Sequence, residues 1–179
     1  MQTTIDNLKK MLKTLNLHNA AGQIEELLNI PLSQSISYEK FLEKFLQCEI
    51  KGREEKRFER CLKHALFPEY KTLDEFDLNE QPSLSKRQFN QLKELSWLEQ
   101  GYNLILLGPT GVGKTMLSIG LGIHAINNGY KVHFVTMHDL INILKTQEII
   151  RTSRTRYKRI VESDLVIIDD LMFMAMEKH

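Results

Sequence analysis

One stretch of this sequence limits the fold more than any other: a glycine-rich loop that matches the pattern G-x-x-x-x-G-K-[ST]. Residues 103–107, which precede the loop, are as apolar as a buried strand, and residues 114–128 have the pattern of a helix. A strand, a glycine-rich turn and a helix in that order form the setting in which such loops bind phosphate groups. The loop consists of Gly108, Pro109, Thr110, Gly111, Val112, Gly113, Lys114 and Thr115.

The residue types in this loop suit a polyphosphate ligand. Glycines let the backbone wrap around phosphates so that successive N–H groups point inward, and the following helix adds the positive end of its dipole. We expect Lys114 to contact the β- and γ-phosphates of a nucleoside triphosphate, and the hydroxyl of Thr115 to ligate Mg²⁺. The alternative is a plain glycine-rich turn, and the flanking strand and helix argue against it.

A second motif lies downstream, where an apolar run ends in the acids Asp169 and Asp170. Magnesium prefers hard oxygen ligands, and a carboxylate at the end of a neighbouring strand suits it. Asp169 is therefore the candidate metal ligand. Asp170 is expected to point to the other side of the strand end and to act catalytically, by orienting or deprotonating an attacking water. Acids that merely end a strand are the alternative interpretation of the pair.

The composition is that of a globular protein without a strong overall charge. The 179 residues are enough for one medium domain or two small ones, and 24 basic and 23 acidic residues nearly cancel. Neither a long apolar run nor a signal peptide is present, so a cytoplasmic location is expected. Cys48 and Cys61 lie about 20 Å apart on one predicted helix, too far for a disulfide. The histidines lack the spacing of a zinc site.

The remaining pattern predicts a helical N-terminal part, a linker and an alternating α/β part. Helices are predicted over residues 4–29, with a break near 16–19, and from Ser37 to about His64, with a loop at 30–37 between them. After an acidic linker, a helix with a Ser85–Gln88 capping box is predicted at 85–98, followed by the strand, loop and helix already described, which ends at Gly129. The remaining predicted elements are strand 131–136, helix 138–149 capped by Asp139, helix 151–163 and strand 164–168. Strands that alternate with helices indicate a parallel sheet.

Two segments are rich in charge. The middle of the second long helix, from Glu49 to Arg60, is expected to be a solvated face with i,i+4 pairs, or else a surface that faces DNA or a partner. In the basic segment 151–159, Arg151, Arg154 and Lys158 share one side of a helix. That side is either a solvated face or a contact to DNA phosphates.

In these motifs the chain resembles the IstB-like transposition helpers, which are relatives of the DnaC-type helicase loaders within the AAA+ ATPases. The resemblance covers nearly the whole chain and is carried by the phosphate-binding loop together with segments 8–67, 72–77, 97–103, 129–132 and 168–171. It implies an α/β fold: a P-loop NTPase of the AAA+ type with a parallel-sheet core, preceded by an all-α N-terminal domain. The implied boundaries are 1–67 for the helical domain, 68–84 for the linker and 85–179 for the ATP-binding domain.

The same resemblance implies a function. Members of this family bind ATP with Mg²⁺, assemble with themselves on DNA without sequence preference, and recruit and stimulate a transposase. Two other functions stay open: a helicase loader that acts on a replicative helicase, and a remnant that binds DNA without nucleotide or is inert.

The chain departs from the family pattern near its end. Met172 stands where the family usually has glycine, and family members continue beyond this point, so a C-terminally truncated ATPase core is expected. In the sheet order that the resemblance implies, a further strand lies between strands 103–107 and 164–168. Without it, the two strands have open edges or pair directly, which would move Asp169 sideways by about 4.8 Å. We expect residual nucleotide binding, negligible turnover and poor solubility.

Overall fold

The computed structural model describes residues 2–29 and 37–171, apart from the side chains of Gln2 and Thr3. The chain divides into two compact units, Met1–Glu59 and Arg60–His179. The domain boundaries that the sequence placed at residues 67 and 84 stay predictions. Within the described ranges, none of the helices has the length and apolar character needed to cross a membrane.

The first unit is helical, as predicted. It contains helix α1 (Gln2–Thr14), helix α2 (His18–Leu28) and most of helix α3 (Tyr38–Ala65). The predicted break between the first two helices is confirmed, and Asn16 has a left-handed backbone there with φ of 59°. The Ser37 hydroxyl accepts a hydrogen bond from the Lys40 amide at 3.4 Å, which fits its predicted role as the helix cap. Most of the predicted loop at 30–37 lies outside the described residues.

Glu49 shows that the charged middle of α3 is not wholly a solvated face. The side chain is 4% exposed, and one carboxylate oxygen accepts hydrogen bonds from the backbone amides of Asn19 and Ala20, each at 2.9 Å. These amides lie in the first turn of α2, where backbone N–H groups have no partner within the helix. The other oxygen accepts from Nε of Arg53 at 2.7 Å. Glu49 therefore caps α2 from a different helix, so the expectation of a solvated side chain is wrong here.

The second unit contains the predicted alternation of helices and strands. Its elements are the 3₁₀ turns Leu73–Glu75 and Leu78–Glu80, helices α4 (Lys86–Lys93), α5 (Ser96–Glu99) and α6 (Lys114–Asn127), strand β1 (Val132–Thr136), helices α7 (Met137–Thr146) and α8 (Arg151–Val161), and strand β2 (Leu165–Asp169). The predicted capping box of Ser85 and Gln88 is confirmed. The helix predicted over 85–98 is divided, because Leu95 has a left-handed backbone with φ of 57°.

The sheet described by the structure is small and parallel. β1 pairs with β2 in a register that runs from Val132 opposite Leu165 to Thr136 opposite Asp169. Helix α6 contacts both strands. It ends two residues before Gly129, whose φ of 97° and hydrogen bond to the Ile126 carbonyl belong to a C-terminal glycine motif. The predicted parallel sheet is thus confirmed as a two-stranded sheet in a mostly helical α/β protein.

The strand predicted at 103–107 is not formed in the structure. Residues 102–109 have no regular secondary structure, and the side chains of Leu104, Ile105 and Leu107 are 39%, 71% and 87% exposed. A strand exists only where a neighbour accepts and donates its backbone hydrogen bonds. β1 and β2 pair only with each other among the described residues, and the apolar segment joins the free edge of neither strand.

Helix α7 starts differently from the prediction. Its cap is Thr136, the last residue of β1, whose hydroxyl accepts a hydrogen bond from the Asp139 amide at 3.1 Å. Asp139 lies inside the first turn instead and pairs with Arg156 of α8 at 3.4 Å. A strand therefore runs directly into a helix, which keeps α7 next to the sheet.

Candidate functional site

The glycine-rich loop connects the irregular segment 102–109 to α6. Gly111 and Gly113 both have left-handed backbones, with φ of 84° and 79°. This conformation is easy for glycine and strained for residues with a Cβ atom, which explains the pattern glycine Gly113 and the additional loop glycine Gly111. Gly113 is the N-cap residue of α6, and its carbonyl accepts the amide of Leu117 at 2.8 Å. The loop therefore ends at a helix N-terminus, as the sequence pattern requires.

Lys114 lies folded over the loop. Its Nζ donates hydrogen bonds to the carbonyl oxygens of Gly108 at 2.9 Å and Pro109 at 2.7 Å, in an exposed position. The ammonium group is thus held at the loop by two neutral acceptors. An anion that enters the loop would offer stronger, charged acceptors to the same group.

The structure brings the two predicted motifs together. The hydroxyl of Thr115, in the first turn of α6, donates a hydrogen bond to Oδ2 of Asp169, the last residue of β2, at 3.0 Å in a partly buried position.

Two outcomes were expected for strands 103–107 and 164–168: open edges or direct pairing. Direct pairing of 103–107 with β2 does not occur among the described residues. The sideways displacement of Asp169 that direct pairing would have caused is therefore not expected.

Asp170 lies just beyond the end of β2 and does not continue the strand. β2 ends at Asp169, and Asp170 follows it with an exposed side chain and a left-handed backbone with φ of 58°. The alternation of side chains along a strand therefore does not determine where Asp170 points. Its predicted position on the opposite side of the strand end rested on that alternation, and the argument fails here.

A hydrophobic cluster supports α6 behind the loop. Its buried residues are Leu73, Phe89, Leu117 and Leu121, and the partly buried ones are Phe76, Leu78, Leu84, Leu92 and Leu106. Several come from the segment 72–84, which the sequence analysis treated as a linker without assigning it a role at the site. In the run 72–77, the apolar residues Leu73 and Phe76 stand among acidic ones. That pattern was the available sequence signal that this segment packs against the cluster.

One of the basic residues on α8 is already hydrogen-bonded within the protein, which limits how much of the basic segment 151–159 is available to bind an anion. The Arg154 guanidinium donates to the carbonyls of Glu148 at 2.9 Å and Gln147 at 3.3 Å, just after the end of α7. Arg154 therefore has a structural role. Arg151 and Lys158 line, together with Ile149, Arg154 and Thr155, an open depression of about 420 Å³.

Comparison with known proteins assigns the family. The model of the IstB-like ATP binding protein family matches residues 10–179. This chain belongs to that family. Two IS21-like insertion-sequence ATP-binding proteins from Bacteroides fragilis are similar to it: one is 34% identical over 92% of this chain and 63% of its own length, and one, from strain YCH46, is 33% identical over 95% of this chain and 85% of its own length.

A third relative is the IS5376 ATP-binding protein of Geobacillus stearothermophilus, which is 34% identical over 82% of this chain and 59% of its own length. The IstB-like chain thus spans less than two thirds of the length of two of these three relatives. The predicted family resemblance is confirmed.

Proposed function

We propose that this chain is an ATP-binding helper protein of DNA transposition, and that the loop 108–115 binds the phosphates of the nucleotide. The observation that carries the proposal is the 3.0 Å contact between Thr115 and Asp169, which join the loop to the end of the neighbouring strand β2. A glycine-rich turn without a ligand has no need of a hydroxyl and a carboxylate side by side at the start of its helix. The family description as ATP binding supports the same ligand.

The loop would bind the phosphates through its own groups. The amides at the start of α6 have no partner within the helix and carry the positive end of its dipole, so they suit a negatively charged ligand. Lys114 would exchange the carbonyl oxygens of Gly108 and Pro109 for phosphate oxygens. Because those carbonyls hold Nζ next to the loop, this exchange requires only a short movement of a flexible side chain.

Magnesium fits the pair of Thr115 and Asp169. The pair presents a hydroxyl and a carboxylate oxygen, which are hard donors of the kind that this ion prefers. A bound Mg²⁺ would neutralise part of the phosphate charge. Asp170, exposed and next to this pair, is proposed to orient or deprotonate a water for hydrolysis.

The two acids provide a test of this arrangement. Asp169→Asn is expected to remove the Mg²⁺ dependence of ATP binding, because it removes one carboxylate from the ion's ligands. Asp170→Asn is expected to leave the ATP dissociation constant within about twofold of the parent, since a change below ~0.5 kcal/mol is typical away from binding contacts. Titration of each variant with ATP, with and without Mg²⁺, measures both effects. Equal loss of binding in the two variants would contradict the division of roles, and a parent chain that binds no ATP would contradict the proposed function.

For the whole protein, we propose assembly on DNA and stimulation of a transposase, with α8 as the DNA contact. The support is the side of α8 on which Arg151 and Lys158 line the depression described above. Neutralising both, as Arg151→Gln with Lys158→Gln, is expected to reduce the slope of log affinity against log salt by about 1.8 on duplex DNA. Non-specific binding to a fluorescent duplex over a series of salt concentrations measures this slope.

Two comparisons make that test specific. Lys10→Gln with Lys13→Gln removes two exposed charges from α1, and it should leave the slope unchanged if the contact is local to α8. Arg154 is not neutralised, because loss of its hydrogen bonds to the end of α7 would change the fold as well as the charge. A slope that is identical for the α8 variant and the parent would leave α8 as a solvated helix.

A further inference from the structure

The ring of Phe76 packs directly against the last glycine of the phosphate-binding loop. A Cβ atom placed on Gly113 would lie 3.1 Å from Cε2 of Phe76, closer than ordinary van der Waals contact. The Phe76 ring also stacks on Phe89, with centroids 5.8 Å apart and planes inclined by 12°. Phe89 is buried in the cluster behind α6. The ring is therefore held between a rigid aromatic neighbour and the loop.

Gly113 is the point at which the loop most needs such support. Its left-handed backbone, with φ of 79°, directs the chain into α6, and Lys114 and Thr115 follow it immediately. Glycine adopts this conformation without strain but also leaves it easily, because nothing in its own structure prevents rotation. Rotation at Gly113 would redirect the amides and side chains that are proposed to meet the phosphates and Mg²⁺.

The segment that carries Phe76 is itself anchored. The Glu75 carboxylate accepts hydrogen bonds from the amide of Thr72 at 2.9 Å and from its hydroxyl at 3.2 Å around the turn Leu73–Glu75. Leu73 packs so closely on α6 that a Cβ on Gly120 would lie 2.8 Å from its side chain. A rigid support is what allows a contact of this kind to hold a ligand-binding group in one geometry.

We infer that Phe76 is a positioning residue of the phosphate-binding loop, and that it holds Gly113 in the conformation that binds the phosphates. The inference rests on the proposed nucleotide binding by this loop. It gives the segment 72–81 a role in the site: its docking onto α6 determines whether the loop is ordered for a ligand. The ring acts on the phosphate part of the ligand through the loop, so its effect does not depend on the base.

The test compares two truncations within the same cluster. Phe76→Ala removes the ring from Gly113, whereas Leu84→Ala removes a side chain that packs on the same buried residues. With Mg²⁺ present, Phe76→Ala is expected to weaken binding of both ATP and inorganic tripolyphosphate about tenfold more than Leu84→Ala does. Circular dichroism and thermal melting of each variant measure the loss of stability separately from the loss of affinity. If Phe76→Ala does not fold, Phe76→Leu replaces it, with a smaller loss expected in the same direction.

Three results separate the possible conclusions. Equal affinities of the Phe76→Ala and Leu84→Ala variants would overturn the inference while leaving the proposed function intact. A loss for ATP with unchanged tripolyphosphate binding would also overturn it, since the ring would then act on the nucleoside. A parent chain whose ATP binding is absent, or is unaffected by Lys114→Ala, would instead remove the proposed function on which the inference rests.

Discussion

The Lys114→Ala variant is expected to lose ATP binding, with a dissociation constant at least about 100-fold above that of the parent chain. Lys114 is the cation that the loop holds at its own carbonyls, 2.9 Å from Gly108 O and 2.7 Å from Pro109 O. A hydrogen bond between charged partners contributes about 1.5–3 kcal/mol, and each 1.4 kcal/mol is a factor of ten in affinity. Calorimetric titration with ATP and Mg²⁺ measures the change directly.

The fold should survive this substitution, because the side chain is only half-buried and its hydrogen bonds go to backbone oxygens of its own loop. Lys86→Ala, at an exposed position in the first turn of α4, is the matched control and should bind ATP like the parent chain. Thermal melting curves for the three proteins check that stability is unchanged. An unaltered dissociation constant in Lys114→Ala would show that this loop is not the nucleotide site.

The largest effect on stability is expected at Glu49, far from the loop in sequence. Glu49→Ala removes the acceptor of the Asn19 and Ala20 amides and the partner of Arg53. The loss of a helix cap costs about 0.5–2 kcal/mol, and hydrogen bonds to a charged group contribute about 1.5–3 kcal/mol each before desolvation is counted. We expect the first unit to lose about 2–3 kcal/mol of its free energy of unfolding.

The pH dependence of this contribution follows from the pKa of Glu49. Burial raises the pKa of the carboxyl, but the hydrogen bonds from the Ala20 amide, the Arg53 side chain and the Asn19 amide outweigh burial, and the native pKa lies below the ordinary value of 4.5. Because the native state binds the proton less tightly than the unfolded state, the stabilisation is complete above about pH 4.5. It is lost as the pH falls through the lowered native pKa.

Hydrogen exchange of the Asn19 and Ala20 amides, together with urea unfolding, measures the effect of Glu49→Ala at neutral pH. Glu54→Gln, at an exposed position on the same helix, should leave both measurements within about 0.5 kcal/mol of the parent. Unchanged protection of the two amides in Glu49→Ala would mean that the cap does not stabilise α2. When the urea unfolding is repeated at acidic pH, the free energies of unfolding of the parent chain and of Glu49→Ala are expected to converge.

Much of the fold was predictable where local chemistry determines it. The capping box at Ser85 and the helix end at Gly129 were predicted from residue type, because each is a conformational preference of a short segment. The strands predicted at 131–136 and 164–168 are formed within one residue of those bounds. Each of these two strands has a partner in the sheet, because β1 pairs with β2.

The predictions failed where a second segment decides the outcome. Residues 103–107 have the composition of a buried strand, yet they pair with no strand in the described structure, and Leu104, Ile105 and Leu107 are exposed. Glu49 lies in a charged stretch that is typical of a solvated helix face, yet its carboxylate accepts a hydrogen bond from the N-terminus of α2. Neither result can be obtained from composition, because each depends on which backbone groups of another element are left without a partner.

The candidate site divides in the same way. The loop pattern and the two acids by themselves determined which residues are suited to phosphate and magnesium, because the chemistry of glycine, lysine, hydroxyl and carboxylate is the same wherever they occur. Only the tertiary structure decided that Thr115 and Asp169 lie 3.0 Å apart, that Arg154 is occupied by the end of α7, and that Phe76 covers Gly113. The contacts of Thr115 with Asp169 and of Phe76 with Gly113 join residues that are distant along the chain, and they arise only when helices and strands pack their apolar faces together.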